Sequence, residues 1–120
     1  PKLEVLDVNL LESMRALPGR TGPTLLPELI EIFRRDEAVR PGELAQLAAK
    51  QDGFATARAA HGFAGSCAVV GARELRAAVM AVEKAALAGE WPRMPVLFAA
   101  VETARERARA ALARMEHPTL

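Results

Sequence analysis

Residues 57–71 read A-R-A-A-H-G-F-A-G-S-C-A-V-V-G, a helical pattern interrupted by residues that a helix interior usually avoids. His61 lies in the middle of this stretch, and Gly62 and Gly65 follow it closely. A glycine in a helix interior costs about 1 kcal/mol relative to alanine. Because the chain uses alanine freely elsewhere, we expect that some function requires a bare backbone beside His61.

A helical wheel at about 100° per residue separates this stretch into two faces. The face predicted to be buried carries Ala57, Ala60, Phe63, Ala64 and Cys67. The face predicted to meet solvent carries Arg58, Gly62, Gly65, Ser66 and Val69. His61 falls at the boundary, almost in line with Phe54 and Ala68. Its imidazole should therefore be accessible while its ring rests beside apolar surface.

The rest of the chain also has the composition of helices, without the alternation that is typical of strands. After a lead-in over residues 1–7, a short helix is predicted over 8–17 with Asp7 as its cap. A break at 18–23 precedes a second helix over 24–39. Its predicted inward residues are Leu25, Leu26, Leu29, Ile30, Ile32 and Phe33. Pro41 and Gly42 then interrupt the pattern, which resumes over 43–49, so one kinked helix and two separate helices both remain open.

Three further helices complete the predicted fold. The third, over residues 53–70, follows a possible Asp52 cap and ends at Gly71 in a left-handed conformation. The fourth spans 72–88, with Leu75, Val79, Val82 and Ala86 on its inner face. The last opens at Trp91-Pro92 and runs to Met115, with Val96, Leu97, Val101, Ala104, Ala108 and Leu112 facing inward. Short loops between long helices favour antiparallel neighbours. We predict a single all-α domain over 1–120: an up-and-down four-helix bundle over 24–116, an additional short N-terminal helix, and a frayed tail at 117–120.

Composition excludes several classes of protein. The 120 residues carry a net charge of +1 and 51% hydrophobic residues, so they can form a core but offer no basic surface for nucleic acid. No apolar run approaches the roughly 20 residues of a membrane span, and no signal peptide opens the chain. The single cysteine, Cys67, excludes an internal disulfide and fits a reducing compartment. We therefore expect a cytoplasmic domain without direct membrane contact. Because the first residue is Pro, we also expect a piece of a longer protein.

The residues around His61 limit the chemistry it can perform. A metal site would need His, Cys, Asp or Glu at the third or fourth position from it, and none is there. Haem on His61 is disfavoured because no second ligand is evident. Ser66 points away from the imidazole, so acyl transfer has little support. No phosphate-binding loop of the G-x-x-x-x-G-K-[ST] type occurs, so ATP is not a direct donor. An accessible neutral imidazole can instead accept a phosphoryl group from a partner that supplies the remaining chemistry.

One run of residues matches a known family. Ala60-His61-Gly62-Phe63-Ala64-Gly65-Ser66, followed by Gly71-Ala72, Leu75 and Glu83, resembles the histidine phosphotransfer (HPt) domain. The likeness extends to Leu29–Phe33 and to the turn at Ala88-Gly89-Glu90. It implies an antiparallel four-helix bundle in which His61, at Nε2, takes a phosphoryl group from a receiver-domain aspartate and passes it to another receiver. It also implies a phosphocarrier without an ATP site, of the kind found at the C-terminus of hybrid sensor histidine kinases, some of them membrane-anchored.

The resemblance further implies roles for the residues around His61. Gly65 clears the face that a receiver must approach, and Ser66 supports the site. The family usually has Lys where this chain has Ala64, so a cation is missing; Arg58 is one replacement, and Arg34 and Arg35 are others. Receiver docking is expected on Phe54, Gly62, Ala68 and Val69. No metal or other cofactor is expected on this domain, since Mg²⁺ belongs to the receiver, and the isolated domain is expected to be monomeric.

Purely structural interpretations remain open for these residues. Arg58 is equally an ordinary solvated arginine, and Phe54 and Val69 can be partial core. The substitution at Ala64 supports one alternative function, a module that keeps the bundle and docks a receiver or kinase without being phosphorylated. Phosphotransfer to wild type and to a His61→Gln variant separates the two functions.

Overall fold

Helices account for most of the computed structural model, which describes residues 4–20 and 24–116. The helices are α1 (Val8–Arg15), α2 (Leu25–Ala49), α3 (Gly53–Val69), α4 (Arg73–Leu87) and α5 (Met94–Glu116), with a 3₁₀ turn at Trp91–Arg93 before α5. No strand occurs among the described residues, so the all-α prediction is confirmed. The predictions for residues 1–3 and 21–23 and for the tail at 117–120 lie outside the described residues.

The helices α2, α3, α4 and α5 enclose one core. Each packs against its neighbour in the chain, and α5 also packs against α2, which closes the ring. The additional helix α1 packs against α2. All five α3 side chains predicted to be buried are buried, and they belong to one core cluster with large residues of the other helices: Phe33, Leu44, Leu75, Val79 and Leu112. The small side chains of α3 allow its backbone to approach that of α4 closely.

The helix α2 runs without interruption through Pro41, which answers the question that the sequence left open. A proline inside a helix removes one hydrogen bond and costs about 3 kcal/mol. Leu44 lies beyond the proline and is fully buried, as Ile30 and Phe33 are on the preceding turns. Burial on both sides of Pro41 thus keeps the segment helical, because tertiary packing outweighs local propensity.

The predicted helix ends at Asp7, Asp52 and Gly71 are confirmed. The Asp7 and Asp52 carboxylates accept hydrogen bonds from the amides of Leu10 (3.1 Å) and Ala55 (3.0 Å), capping α1 and α3. At the end of α3, Gly71 has φ +66°. A Cβ at Gly71 would lie 2.7 Å from the Asp7 Cβ. The Gly71 carbonyl accepts from the Asp7 amide at 2.7 Å, so the same glycine joins the end of α3 to the start of α1.

Two residues that were predicted to face inward are exposed. Ile32 in α2 is 51% exposed and Val96 in α5 is 73% exposed. Each follows a buried residue, Ile30 or Met94, by two positions. Two positions correspond to about 200° around a helix, so the predicted stripes were too wide. Within the described ranges, no helix has both the length and the apolar character needed to cross a bilayer.

Candidate functional site

His61 lies on the outer surface of α3, and 79% of its side chain is exposed. The two glycines beside it face open space, since a Cβ built on Gly62 or Gly65 would meet nothing within 4 Å. Packing inside the domain therefore does not explain why these positions are glycine. The bare backbone instead leaves room on the outside of α3, on both sides of the imidazole.

The imidazole is held by a carboxylate of the neighbouring helix. The Nδ1 atom of His61 lies 3.2 Å from Oε2 of Glu83, which is on α4 and is partly buried. A neutral imidazole can donate only one N–H. Donation from Nδ1 to Glu83 therefore leaves Nε2 with its lone pair, ready to act as a nucleophile.

Two hollows lie on either side of His61, and both are lined by His61 and Glu83. The first, of about 470 Å³, is completed by Phe54, Ala57, Arg58, Gly62 and Leu87. The second, of about 140 Å³, is completed by Ala64, Gly65, Ala68, Arg76 and Met80. The imidazole thus stands between a wide, mostly apolar hollow and a small one with an arginine at its edge.

The nearby arginines differ in what they contact. The Arg58 guanidinium lies 5.8 Å from the centre of the Phe54 ring, a cation–π geometry within the first hollow. Arg34 pairs with Glu116 of α5, and Arg35 lies 4.0 Å from Glu31. Arg34 and Arg35 are therefore committed to carboxylates that lie outside both hollows.

Ser66 and Val69 are not brought to the imidazole, although both were predicted to belong to the site. The Ser66 hydroxyl donates a hydrogen bond to the Asp36 carboxylate, which ties α3 to α2. Val69 is 47% exposed but lines neither hollow. Ala64 is buried, and its methyl group forms part of the wall of the second hollow.

The predicted docking residues Phe54, Gly62 and Ala68 are exposed around His61. Phe54 is 70% exposed. Phe54 and Gly62 belong to the first hollow and Ala68 to the second. These three residues therefore flank the imidazole on both sides.

Cys67 is buried, and no cluster placed to hold a metal ion occurs among the described residues. Burial raises the pKa of the Cys67 thiol to about 12, against the opposing charge of Arg76, so the thiol stays protonated at neutral pH. Residues 4–20 and 24–116 contain no group of three or more His, Cys, Asp or Glu side chains placed to hold a metal ion.

Four site residues on α4 escaped the analysis of single helices. Arg76, Met80, Glu83 and Leu87 share one face of α4 and line the two hollows. Glu83 was noted only for its place in the family pattern, without a role. The α4 pattern does contain a signal, because these residues recur at helical spacing beside the buried stripe that includes Leu75 and Val79. What single-helix patterns lack is the register of α4 against α3.

Comparison with known proteins agrees with this geometry. Residues 28–113, which include both hollows, match the family model of the Hpt domain. The fold is similar to the crystal structure of histidine-containing phosphotransfer protein B from Pseudomonas aeruginosa PAO1, with a TM-score of 0.83 and 24% identity. That match covers 99% of this chain and 100% of the other. At this identity the likeness shows the fold alone. No curated protein sequence matches the chain significantly.

Proposed function

This chain belongs to the Hpt domain family, whose function is histidine phosphotransfer in a phosphorelay, and we propose that His61 is its phosphoacceptor. The observation that carries the proposal is the contact between Nδ1 of His61 and the Glu83 carboxylate at 3.2 Å. It directs the second ring nitrogen to act as the nucleophile, on a side chain that is 79% exposed.

The transfer step follows from this arrangement. The Nε2 lone pair of His61 attacks the phosphorus of an aspartyl phosphate on a receiver domain. The N–P bond forms as the P–O bond to the aspartate breaks, and the electron pair of that bond stays on the carboxylate oxygen. Glu83 holds the Nδ1 proton and balances the positive charge that develops on the ring. The reverse step delivers the phosphoryl group to an aspartate of a second receiver.

In this proposal the receiver binds the Mg²⁺ that stabilises the transferring phosphoryl group. This chain supplies an oriented imidazole and a surface on which the receiver docks. Apolar side chains around His61 support such a surface, since Phe54 (70%), Leu87 (65%) and Met80 (42%) are all largely exposed. These three residues form an exposed apolar surface around His61. Exposed apolar groups that surround a reactive side chain favour a protein partner over a small substrate.

We extend the proposal to the setting of the domain. Hpt domains generally interact with receivers, so we assign the donor and the acceptor to receivers of response regulators or of a parent hybrid kinase. On the same likeness we place the domain in the cytoplasm and expect the isolated domain to be monomeric. Light scattering on the purified domain checks the last expectation.

Phosphotransfer from a labelled receiver tests the role of His61. A receiver carrying [³²P]aspartyl phosphate is incubated with wild type, His61→Gln and His117→Gln, the last being the matched control at the other histidine. We expect label on wild type and on His117→Gln, and none on His61→Gln. Equal labelling of the His61→Gln variant would refute the assignment. Binding of the receiver without any labelling of wild type would favour the docking module instead.

A further inference from the structure

Phosphorylation of His61 creates a charge problem at the site. The phosphoryl group adds close to two negative charges beside the Glu83 carboxylate, which already lies 3.2 Å from the ring. The phosphoryl group lies on the opposite side of the ring from Glu83, and both anions share the single positive charge of the ring, so a second cation beside the phosphoryl oxygens would stabilise the product. On the α3 side of the second hollow the wall is formed by the Ala64 methyl group and Gly65, neither of which carries charge.

Arg76 has the charge and the position that stabilising the phosphoryl group requires. It lines the second hollow together with His61, Ala64 and Glu83. Among the described residues, no carboxylate lies within ion-pair distance of Arg76, although most other arginines of the chain are paired. The positive charge of Arg76 also acts on α3, where it partly offsets the rise in the pKa of Cys67 that burial causes. The Arg76 guanidinium therefore has no ion-pair partner among the described residues, and Arg76 borders the hollow beside His61 as well as a neighbouring hollow that includes Asp7.

The other basic side chains considered pair with carboxylates, line another groove or lie over an aromatic ring. Arg73 pairs with Asp7 at 2.7 Å, and Arg40 pairs with Glu43 at 3.3 Å. Lys84 lines a groove on α4 that shares Met80, Glu83 and Leu87 with the two hollows but does not include His61. Within the described part of the chain, Arg58 is the one other arginine that shares a hollow with His61, and its guanidinium lies over the Phe54 ring in the wider hollow.

We propose that Arg76 is the cation that contacts the phosphoryl group on His61, in the small hollow left open by Ala64 and Gly65. The planar guanidinium can donate two parallel N–H bonds to phosphoryl oxygens, and such charge-assisted pairs are among the stronger hydrogen bonds in proteins. This inference rests on the proposed role of His61. It predicts that Arg76 stabilises the phosphorylated form of the domain relative to the unphosphorylated form.

The equilibrium of the transfer reaction measures this effect directly. At concentrations where the complex is scarce, the distribution of label between receiver and domain depends on the stability of the two phosphorylated proteins. A residue that only docks the receiver changes the rate of approach but leaves this distribution unchanged. We expect Arg76→Gln to lower the phosphorylated fraction of the domain, expressed as an equilibrium constant, by about tenfold.

Two further variants complete the experiment. Arg114→Gln removes another exposed arginine, on α5 and distant from both hollows, and should leave the equilibrium constant unchanged. Arg76→Gln combined with Ala64→Lys places a cation at the other wall of the hollow and should recover most of the loss. Melting curves confirm that each variant is folded.

An Arg76→Gln equilibrium constant equal to that of wild type would overturn the proposal. So would an equal fall in Arg114→Gln, which would indicate a general effect of net charge. Failure of the underlying function gives a different result, since wild type itself would then accept no label.

Discussion

His61 combines two properties that are seldom found together in one side chain. It is 79% exposed, yet one of its ring nitrogens is fixed by a carboxylate on another helix. In the proposed function, exposure admits a partner protein, and the Nδ1 contact favours the tautomer in which Nε2 carries the lone pair that attacks phosphorus. A histidine that lacked the Glu83 contact would sample both tautomers and many ring orientations.

Removing the Glu83 carboxylate tests this reasoning. We expect Glu83→Ala to slow phosphotransfer by about ten- to a hundredfold, the kinetic equivalent of losing one charge-assisted hydrogen bond. The transfer rate of Glu83→Gln should fall less, because its amide oxygen can still accept a hydrogen bond from the Nδ1–H group of His61. The measurement is the rate of label transfer from a receiver, with Glu106→Ala, an exposed glutamate of α5, as the control. A Glu83→Ala variant that transfers as fast as wild type would show that the contact has no kinetic role.

At the scale of single residues, sequence patterns predicted the exposure of His61 but not the residues of α4 that line the hollows beside it. The position of His61 beside two glycines predicted an accessible imidazole, and the wheel placed five buried residues of α3 correctly. Glu83 and Arg76 lie 22 and 15 positions further along the chain, on another helix. Whether these residues lie beside His61 depends on how far α4 is shifted along α3, and periodicity within one helix carries no information about that shift.

Two glycines within α3 differ in physical role from the glycine that follows its C-terminal end. Gly71 adopts φ +66° and lies against Asp7, so a side chain there would be strained and would also clash. Gly62 and Gly65 are ordinary helical residues whose missing side chains would point into open space. The fold requires glycine at position 71, whereas in the proposed function Gly65 leaves room for the approach of a receiver. Gly62 borders the wider hollow and has the same freedom.

A side chain at Gly65 should separate stability from function. Gly65→Gln should keep the fold and raise the free energy of unfolding by up to about 1 kcal/mol, because glutamine is the better helix former. The same side chain would occupy the second hollow and obstruct the receiver, so we expect transfer to fall at least tenfold. Gly42→Gln is the matched control, since Gly42 is also a helical glycine facing open space, on α2. Equal transfer by both variants would exclude the role of Gly65.

At the scale of elements, helix ends were predictable and helix continuity was not. Asp7, Asp52 and Gly71 act through local hydrogen bonds and backbone angles, which a short stretch of sequence specifies. The path of α2 through Pro41 depends instead on the burial of Leu44 by other helices. The exposure of Ile32 and Val96 likewise reflects how wide a face the neighbouring helices cover, a property of the assembled bundle.

The bundle is closed by an ion-pair cluster that joins its first long helix to its last. Glu37 of α2 is only 5% exposed and accepts hydrogen bonds from Arg105 (2.9 Å) and Arg109 (2.9 and 3.0 Å) of α5. Arg34 pairs with Glu116 further along the same seam. The sequence placed Glu37 in a charged helix end, because its two partners are about seventy residues away along the chain.

Acidification should weaken the ion pairs that Glu37 of α2 forms with Arg105 and Arg109 of α5. Burial alone would raise the pKa of Glu37, but its hydrogen bonds and charge interactions with Arg109 and Arg105 outweigh burial and lower the pKa below its ordinary value of 4.5. A lowered folded-state pKa stabilises the protein above the unfolded-state value, and that contribution is lost as pH falls through the folded-state value. The free energy of unfolding of wild type should therefore drop on acidification below about pH 4.5 more steeply than that of Glu37→Gln.

Urea unfolding of both proteins at pH 7 and at pH 3.5 measures this difference. At pH 7 we expect Glu37→Gln to be less stable by about 2–3 kcal/mol, because Arg105 loses its buried partner. At pH 3.5 the two proteins should approach each other in stability. A constant difference across this range would contradict the assigned role of the carboxylate.

Locating the phosphoryl group on the chain tests the central claim most directly. The domain is incubated with a phosphorylated receiver, quenched at alkaline pH to preserve phosphohistidine, digested with trypsin and analysed by mass spectrometry. Tryptic cleavage after Arg58 and Arg73 isolates residues 59–73, which contain His61 but not His117. We predict acid-labile phosphate on this peptide, bound at Nε2 of His61. Phosphate on another peptide, or none on a domain that still binds the receiver, would contradict the account.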